Sequence, residues 1–218
     1  MEILSCSRIR TKLRCGYLYR LIYIEGKRPQ PTKALLYGVE KHKQLELYAN
    51  HKPCRLSKRE KALVDRLKGL CLGWPITEFH LVFEALGHKF QMIADLLHPF
   101  GSAVYDYKTT KSLDFAKQSW EVAGDLQANL YTLGICGYFR RSKMFFSFEY
   151  LPKNGEPFLS SGDHIRKKDA KDFVEKTLGL YNAQSTDKIE DFGSRKCYLF
   201  GGCPFLDLCR SKLIDKLY

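Results

Sequence analysis

The chain has no apolar run that approaches the ~20 residues a membrane-spanning helix requires, and even Leu18 to Ile24 is interrupted by Arg20. Its first residues, Met1 to Arg8, lack the basic-then-apolar layout of a signal peptide. Internal repeats and low-complexity segments are also missing. These absences exclude a helical membrane protein and a repeat array, and we expect a soluble protein of the reducing cytoplasm.

Acidic residues are scarce relative to basic ones: 24 Asp and Glu stand against 36 Lys and Arg, giving a net charge of +12 and a pI near 9.3. This balance favours a polyanionic partner, because neutralising phosphates releases their counterions. Charge alone does not distinguish such a protein from a merely soluble basic one. The eight cysteines, without a signal peptide, are expected to be thiols rather than disulfides.

The spacing of apolar residues predicts a helical first third followed by a meander of strands. A stripe of Leu35, Val39, His42 and Leu45 marks the second helix, and Ser57 with Glu60 forms a capping box for the third. The predicted helices cover 5–23, 32–48, 57–70, 114–135 and 169–181, and the predicted strands cover 76–86, 90–97, 102–108 and 143–151. This order predicts an α/β (α+β) fold with a central mixed sheet of about four to five strands flanked by helices.

We expect one domain over 1–218. Its predicted parts are a helical part at 1–74, a catalytic sheet core at 75–151, and a C-terminal helix with a cysteine-rich segment at 152–218.

The tetrapeptide Asp106-Tyr107-Lys108-Thr109 ends an apolar run that starts at Ser102. Strand side chains alternate, so Asp106 and Lys108 project from one face about 7 Å apart. A carboxylate beside an ammonium is what metal-assisted phosphodiester cleavage needs, although in isolation the pair could equally be a surface ion pair on an edge strand.

A second carboxylate is predicted opposite the first. If Phe100-Gly101 is a two-residue hairpin loop, paired residue numbers place Asp95 directly across from Asp106, about 5 Å away at Cβ. Such a pair shares a proton or holds a metal, and beside Lys108 the hard oxygens favour Mg²⁺ or Mn²⁺. Asp95 alone could be a strand-end carboxylate bonded to a loop amide.

These elements resemble the PD-(D/E)XK nuclease superfamily, and within it the RecB-like branch, which includes CRISPR-adaptation nucleases and phage exonucleases. The matching elements, in the branch's order, are the helical G-x-x-x-H at Gly38 and His42, the strand acid Asp95, the D-x-K of Asp106-Tyr107-Lys108, and the Q-x-x-x-Y at Gln127 and Tyr131. One departure is the absence of a glycine just before Asp95.

The resemblance implies a restriction-endonuclease-like fold and a role for each matched residue. Asp95, Asp106, His42 and the carbonyl of Tyr107 are expected to hold the metal, with Lys108 catalytic. Gln127 and Tyr131 are expected to bind substrate, since i, i+4 spacing places them on one helical face. Glu78 is a weaker candidate, and an exposed strand carboxylate is its alternative interpretation.

Three cysteines are evenly spaced near the end of the sequence, Cys197-x5-Cys203-x5-Cys209, and three thiols do not complete a four-coordinate site. The resemblance supplies the fourth, Cys15, and implies a [4Fe-4S] cluster. A structural Zn²⁺ and free buried thiols are the alternatives, and the five-residue gap between the second and third cysteines departs from the common C-x2-C. The remaining cysteines are expected to pack in the interior: Cys6, Cys54, Cys71 and Cys136.

The expected function is that of a metal-dependent DNA nuclease, most simply an exonuclease on single-stranded ends in a bacterial, archaeal or phage-infected cell. Its partner proteins would belong to recombination, phage replication or CRISPR adaptation. The alternative is a non-cleaving iron–sulfur or zinc nucleic-acid-binding adaptor on the same fold. Basic clusters that could track a DNA backbone lie at Arg8 to Arg14, Lys58 to Lys61 and Arg140-Arg141.

Overall fold

A computed structural model describes residues 2–153, 158–186, 197 and 203–214. The chain forms two compact units, one comprising Met1–Ile3 with Lys33–Glu175 and the other Leu4–Thr32 with Lys176–Tyr218. The expectation of a single nuclease domain over 1–218 stays a prediction. None of the described helices has the length and hydropathy needed to span a lipid bilayer.

After a two-residue strand, the described chain has a helical first third, then three consecutive strands, and then further helices and two more strands. The strands are β1 (Ile3–Leu4), β2 (Ile76–Ala85), β3 (His88–Leu97), β4 (Ala103–Thr110), β5 (Lys143–Pro152) and β6 (Leu159–Arg166). The helices are α1 (Cys6–Arg14), α2 (Gly16–Tyr19), a π-helix (Arg20–Ile24), α3 (Lys33–Ala49), α4 (Lys58–Leu70), a 3₁₀ turn (Leu113–Phe115), α5 (Ser119–Val122), α6 (Leu126–Tyr138), α7 (Lys167–Ala183) and α8 (Leu206–Ile214).

The sheet is mixed, which confirms the predicted fold class. Its order is β1-β3-β4-β5-β6, with β2 paired to β3. The β4–β5 pair is parallel, whereas β2–β3, β3–β4 and β5–β6 are antiparallel. In the described residues the sheet has six strands. Strands β1 and β6 were not predicted; the centre of β6, Ser160 to His164, carries no apolar alternation.

The β3–β4 register agrees with the prediction. Leu96 pairs with Tyr105 and Leu97 with Val104, in the register that sets Asp95 across from Asp106. The connection is longer than two residues, because the amide of Gly101 donates to the His98 carbonyl and closes a turn before Ala103. In the described ladder the pairing ends at Leu96 and Tyr105, so the two strands part where the two acids stand.

Two predicted helices are interrupted. The helix expected over 5–23 breaks at Cys15, whose backbone is extended and whose sulfur accepts the Leu18 amide at 3.4 Å as the cap of α2. Gly16 cannot be replaced there, since a Cβ would meet the Ser185 carbonyl oxygen at 1.7 Å. The helix expected over 114–135 begins only at Leu126, because the Asp125 side chain caps α6.

Helices α3 and α4 cover one face of the sheet. Leu45, Leu63 and Leu67 pack with Tyr105 and other buried residues, and the predicted Ser57–Glu60 capping box starts α4. The predicted apolar stripe on α3 is partly wrong, because Leu35 and Val39 are 57% and 61% exposed while Leu45 is buried. The first half of α3 borders a cleft instead of the core.

Candidate active site

A cleft of about 610 Å³ lies between the first half of α3 and strands β2 to β4. It is lined by four of the residues that the sequence singles out: His42, Glu78, Asp95 and Lys108. Gly38 also lines it, and a Cβ at this position would come within 3.2 Å of the Thr109 hydroxyl oxygen. The missing side chain therefore lets α3 approach β4 closely.

Asp95 is held between a helix and a strand. Its Oδ2 accepts the backbone N–H of Tyr107 at 2.7 Å, and its Oδ1 lies 3.2 Å from His42 Nδ1. The Asp95 side chain is 11% exposed and that of His42 is 31% exposed. The hydrogen bond from the Tyr107 amide on β4 thus fixes the Asp95 carboxylate so that its other oxygen faces His42.

Asp106 is the most buried charged group of the cleft region, at 3% exposure. Its Oδ1 accepts a hydrogen bond from Gln127 Nε2 at 2.6 Å, and its Oδ2 lies 2.5 Å from Lys108 Nζ. Lys108 also donates to Gln127 Oε1 at 3.1 Å. Acid, amide and ammonium therefore form a closed triangle that joins β4 to the first turn of α6.

Burial and several neighbouring carboxylates together shift the pKa values of the titratable side chains at the cleft. Burial raises the pKa of Asp106 to about 6, and the charge of Asp95 adds to the rise although Lys108 opposes it. Burial disfavours a charged His42, but its hydrogen bond to Asp95 and the nearby negative charges outweigh burial and raise the pKa of His42. Burial and then the charges of Asp95 and Glu46 raise the pKa of Glu78. A site with these properties gains from an additional positive charge.

Glu78 stands out for its backbone. It falls opposite Asp95 in the β2–β3 register, between the pairs Thr77–Leu96 and Phe79–Ala94, and its φ of +47° is left-handed. Such a conformation costs a non-glycine residue about 1 to 2 kcal/mol and is concentrated at functional sites. Its location in the cleft, half-buried beside Asp95, differs from the exposed strand carboxylate that the sequence offers as an alternative.

The donor set suits a hard divalent cation. Asp106 Oδ2 is fully buried and, among the residues that the structure describes, has no hydrogen-bond partner of regular geometry despite its contact with Lys108. In the described arrangement no three His, Cys, Asp or Glu side chains converge on a metal position. The carboxylates are engaged with Lys108, Gln127, His42 and the Tyr107 amide, so a metal would exchange with some of these contacts.

Tyr131 lies one turn after Gln127 on α6 and faces the sheet. Its hydroxyl donates to the Ile93 carbonyl at 2.7 Å, and its ring meets Phe146 edge-on. The side chain is 7% exposed. Its contact thus fixes α6 against β3, two residues before Asp95, while its expected substrate contact stays a prediction.

Two buried carboxylates near the site, Asp125 and Glu149, are not among the residues predicted from the sequence. Asp125 caps α6 by accepting the Gln127 amide at 2.7 Å, so it sets the position of Gln127. Glu149 is 1% exposed on β5, beside Tyr107 in the β4–β5 ladder. The available signals were an Asp directly before an apolar helical run and a Glu inside the apolar strand of Phe145 to Tyr150.

The four cysteines assigned to a cluster all belong to the second unit. Cys15 and Cys209 contact the same small core of Tyr17, Leu21 and Phe205. The amide of Cys203 donates to the Cys197 carbonyl at 2.6 Å, and burial together with the neighbouring thiols of Cys15 and Cys197 raises the pKa of Cys203. Within the part of the chain that the structure describes, no three of these thiols converge on one metal position, so the cluster stays a prediction.

Among the cysteines outside the proposed cluster, Cys71, Cys136 and Cys54 pack in the interior. Cys71 and Cys136 are fully buried, and burial raises the pKa of each thiol to about 11. Cys54 is half-buried against the core under α3 and α4.

Comparison with known proteins supports the fold. No protein-family model matches the sequence, and no curated protein is similar to it. A proposed exonuclease from Eubacterium rectale superposes with a TM-score of 0.54 at 16% identity, covering 84% of this chain and 82% of its own. A phage-related exonuclease from Haemophilus somnus 129PT gives a TM-score of 0.39 at 11% identity, covering 84% of this chain and 94% of its own. The first likeness shows a shared fold.

Proposed function

We propose that the protein is a metal-dependent deoxyribonuclease of the PD-(D/E)XK type that hydrolyses phosphodiester bonds. The observation that carries the proposal is the buried Asp106 carboxylate, which is bonded to Gln127 and Lys108 and lies near the pair formed by Asp95 on β3 and His42 on α3. Lys108 and a second acid, Asp95, line the cleft, and the buried Asp106 with its raised pKa contacts Lys108 from behind it; these are groups that phosphodiester hydrolysis uses.

Each residue has a distinct task in this proposal. Asp95, Asp106 and His42 would hold Mg²⁺ or Mn²⁺, with Glu78 and the Tyr107 carbonyl completing the set. A bound ion of this kind would polarise the phosphoryl oxygen and lower the pKa of a water to produce the nucleophile. Lys108, released from Asp106, would position that water or offset the charge that develops on the phosphate. Gln127 and Tyr131 would hold the strand, directly or through their contacts with Asp106, Lys108 and Ile93.

DNA with free or single-stranded ends is the proposed substrate. The net charge of +12 favours a polyanion, and the motif order resembles that of end-directed nucleases. The name of the Eubacterium rectale protein, a proposed exonuclease with the same fold, agrees with this substrate.

The proposed second cofactor is a [4Fe-4S] cluster bound by Cys15, Cys197, Cys203 and Cys209, with Zn²⁺ as the alternative occupant. The shared surroundings of these thiols in the second unit support the proposal. Such a cluster would add stability by joining distant parts of the chain.

Cleavage assays with end-labelled DNA test the function. Single- and double-stranded DNA carrying 5′ or 3′ labels is incubated with Mg²⁺ or Mn²⁺ and the full chain. We expect metal-dependent digestion that Asp106→Ala and Lys108→Ala abolish, whereas the exposed controls Asp172→Ala and Lys143→Ala leave it intact. Undiminished cleavage by both active-site variants would refute the assignment, and tight DNA binding without cleavage would favour the adaptor alternative.

A further inference from the structure

The segment between β4 and α6, residues 111–125, begins three residues after Lys108 and ends at Asp125, the residue that caps α6. It is fastened in the middle, because the Lys117 amide donates to the Tyr150 hydroxyl at 3.0 Å. Tyr150 is the ladder partner of Lys108, and the Lys117 ammonium pairs with Asp125 at 3.3 Å. The segment is therefore held alongside the strand that carries the D-x-K motif.

Two large aromatic side chains project from this segment. Phe115 ends the 3₁₀ turn and is 74% exposed, and Trp120 lies in α5 and is 77% exposed. Both turns are ordered by capping, since the Ser112 hydroxyl oxygen accepts the Asp114 amide and the Glu121 carboxylate accepts the Gln118 amide. Large aromatic side chains gain more free energy from burial than smaller ones do. The stability of the fold therefore does not explain why these two rings are exposed on ordered turns.

The surroundings of the rings favour nucleic acid over protein. Between the two rings lie Ala116, Lys117, Gln118 and Ser119, of which Lys117 is paired with Asp125, and Lys111 is exposed on the same segment. The acids Asp114 and Glu121 are engaged in the caps. A protein-docking face would present a contiguous apolar patch, whereas aromatic rings interleaved with cations are the surface that stacks on bases and follows phosphates.

We propose that Phe115 and Trp120 are a base-stacking platform for single-stranded nucleic acid whose cleaved phosphate lies in the adjacent cleft. The proposal rests on the proposed nuclease function and adds to it the residues that would select unpaired strands. Stacking is independent of base identity, so the platform would favour single strands over duplexes without sequence preference.

The chain contains two tryptophans, Trp74 and Trp120, which makes a direct test possible. Trp74→Phe leaves Trp120 as the reporter, and Trp120→Phe leaves Trp74, which is 80% exposed, as the control. Both variants are titrated with an oligothymidylate and with an abasic strand of equal length, in EDTA to prevent cleavage. We expect the oligothymidylate to quench Trp120 emission, the abasic strand to quench it far less, and Trp74 emission to stay constant.

Binding and kinetics complete the test. Phe115→Ala and Trp120→Ala should each weaken single-strand binding about tenfold and raise KM with little change in kcat, whereas Phe100→Ala, another exposed ring, should do neither. Equal quenching by both strands, unchanged binding by the two variants, or Trp120 emission that changes with protein concentration alone would overturn the proposal.

The outcomes separate this proposal from the nuclease assignment. Cleavage with unaltered binding by Trp120→Ala would overturn the platform and leave the nuclease assignment in place. Base-dependent quenching of Trp120 by a protein that does not cleave would refute the assignment of activity while supporting the platform.

Discussion

The side-chain amide of Gln127 donates a hydrogen bond of 2.6 Å to Asp106 Oδ1. The amide N–H can only donate, so Asp106 Oδ1 is the acceptor, and the same side chain accepts from Lys108 through Oε1. Gln127 is in turn fixed by the Asp125 cap at the start of α6. A residue expected to touch substrate thus also orients the acid and the lysine of the candidate site.

Replacing Gln127 by Ala should therefore lower metal-dependent cleavage about 10- to 100-fold, the usual effect of removing a residue that orients a metal ligand. Metal affinity, measured by titrating Mn²⁺ against activity, should fall with it. Gln91→Ala, an exposed glutamine on β3, is the matched control and should behave as the wild type. Full activity of Gln127→Ala would show that the triangle with Asp106 and Lys108 is dispensable.

Tyr131→Phe removes the part-buried hydrogen bond to Ile93. We expect the variant to lose about 0.5 to 1.5 kcal/mol of unfolding free energy, because the Ile93 carbonyl loses this hydrogen bond. Urea denaturation measures this loss, and DNA binding at the same temperature measures any substrate contact. Unchanged stability with a raised KM for DNA would instead support a direct contact between the Tyr131 hydroxyl and substrate.

The site could be anticipated from sequence because its signals are short-range or tied to a hairpin. Asp106 and Lys108 follow from strand alternation, and Asp95 follows from a register that the β3–β4 ladder reproduces. Glu78 was a weaker candidate because its left-handed backbone lies outside any propensity rule and depends on the strands around it.

Helix boundaries and the last strand were harder to predict for physical reasons. Cys15 lies in an unbroken amphipathic pattern, yet its extended backbone depends on the close approach of Gly16 to Ser185, which is distant in sequence. Strand β6 lacks apolar alternation because pairing with β5, not burial of its own side chains, orders Ser160 to His164.

Glu149 provides a pH-dependent prediction. It accepts from Ser147, Ser160 and the Arg66 guanidinium, but burial outweighs these partners and raises the pKa of Glu149. An acid with a folded-state pKa above its unfolded value contributes stability below the unfolded value, and this contribution is lost as pH rises through the folded value. At neutral pH the ionised Glu149 carboxylate therefore lowers the free energy of unfolding, and its ion pair with Arg66 reduces this loss.

Arg66→Ala should accordingly destabilise the protein by about 1 to 3 kcal/mol near neutral pH, and the deficit should shrink as the pH falls towards the unfolded pKa of Glu149. Denaturant unfolding at several pH values measures the deficit. In a Glu149→Gln background the same substitution should cost little at any pH. A deficit independent of pH, or one that persists in that background, would show that Arg66 acts through packing instead.

Cys203→Ser tests the metal cluster of the second unit. The charges of Cys15 and Cys197 contribute to the raised pKa of the Cys203 thiol, and in the proposed cluster a serine at this position removes one of four soft ligands and should abolish cluster binding. Anaerobically purified wild type should be brown and contain iron, and the variant should be colourless and melt at a lower temperature because it loses the link between distant parts of the chain. Cys54→Ser, a half-buried cysteine of the first unit, should retain the iron. A colourless wild type with stoichiometric zinc would replace the iron–sulfur proposal by a structural zinc site, and a wild type that binds neither metal would leave these cysteines as packing residues.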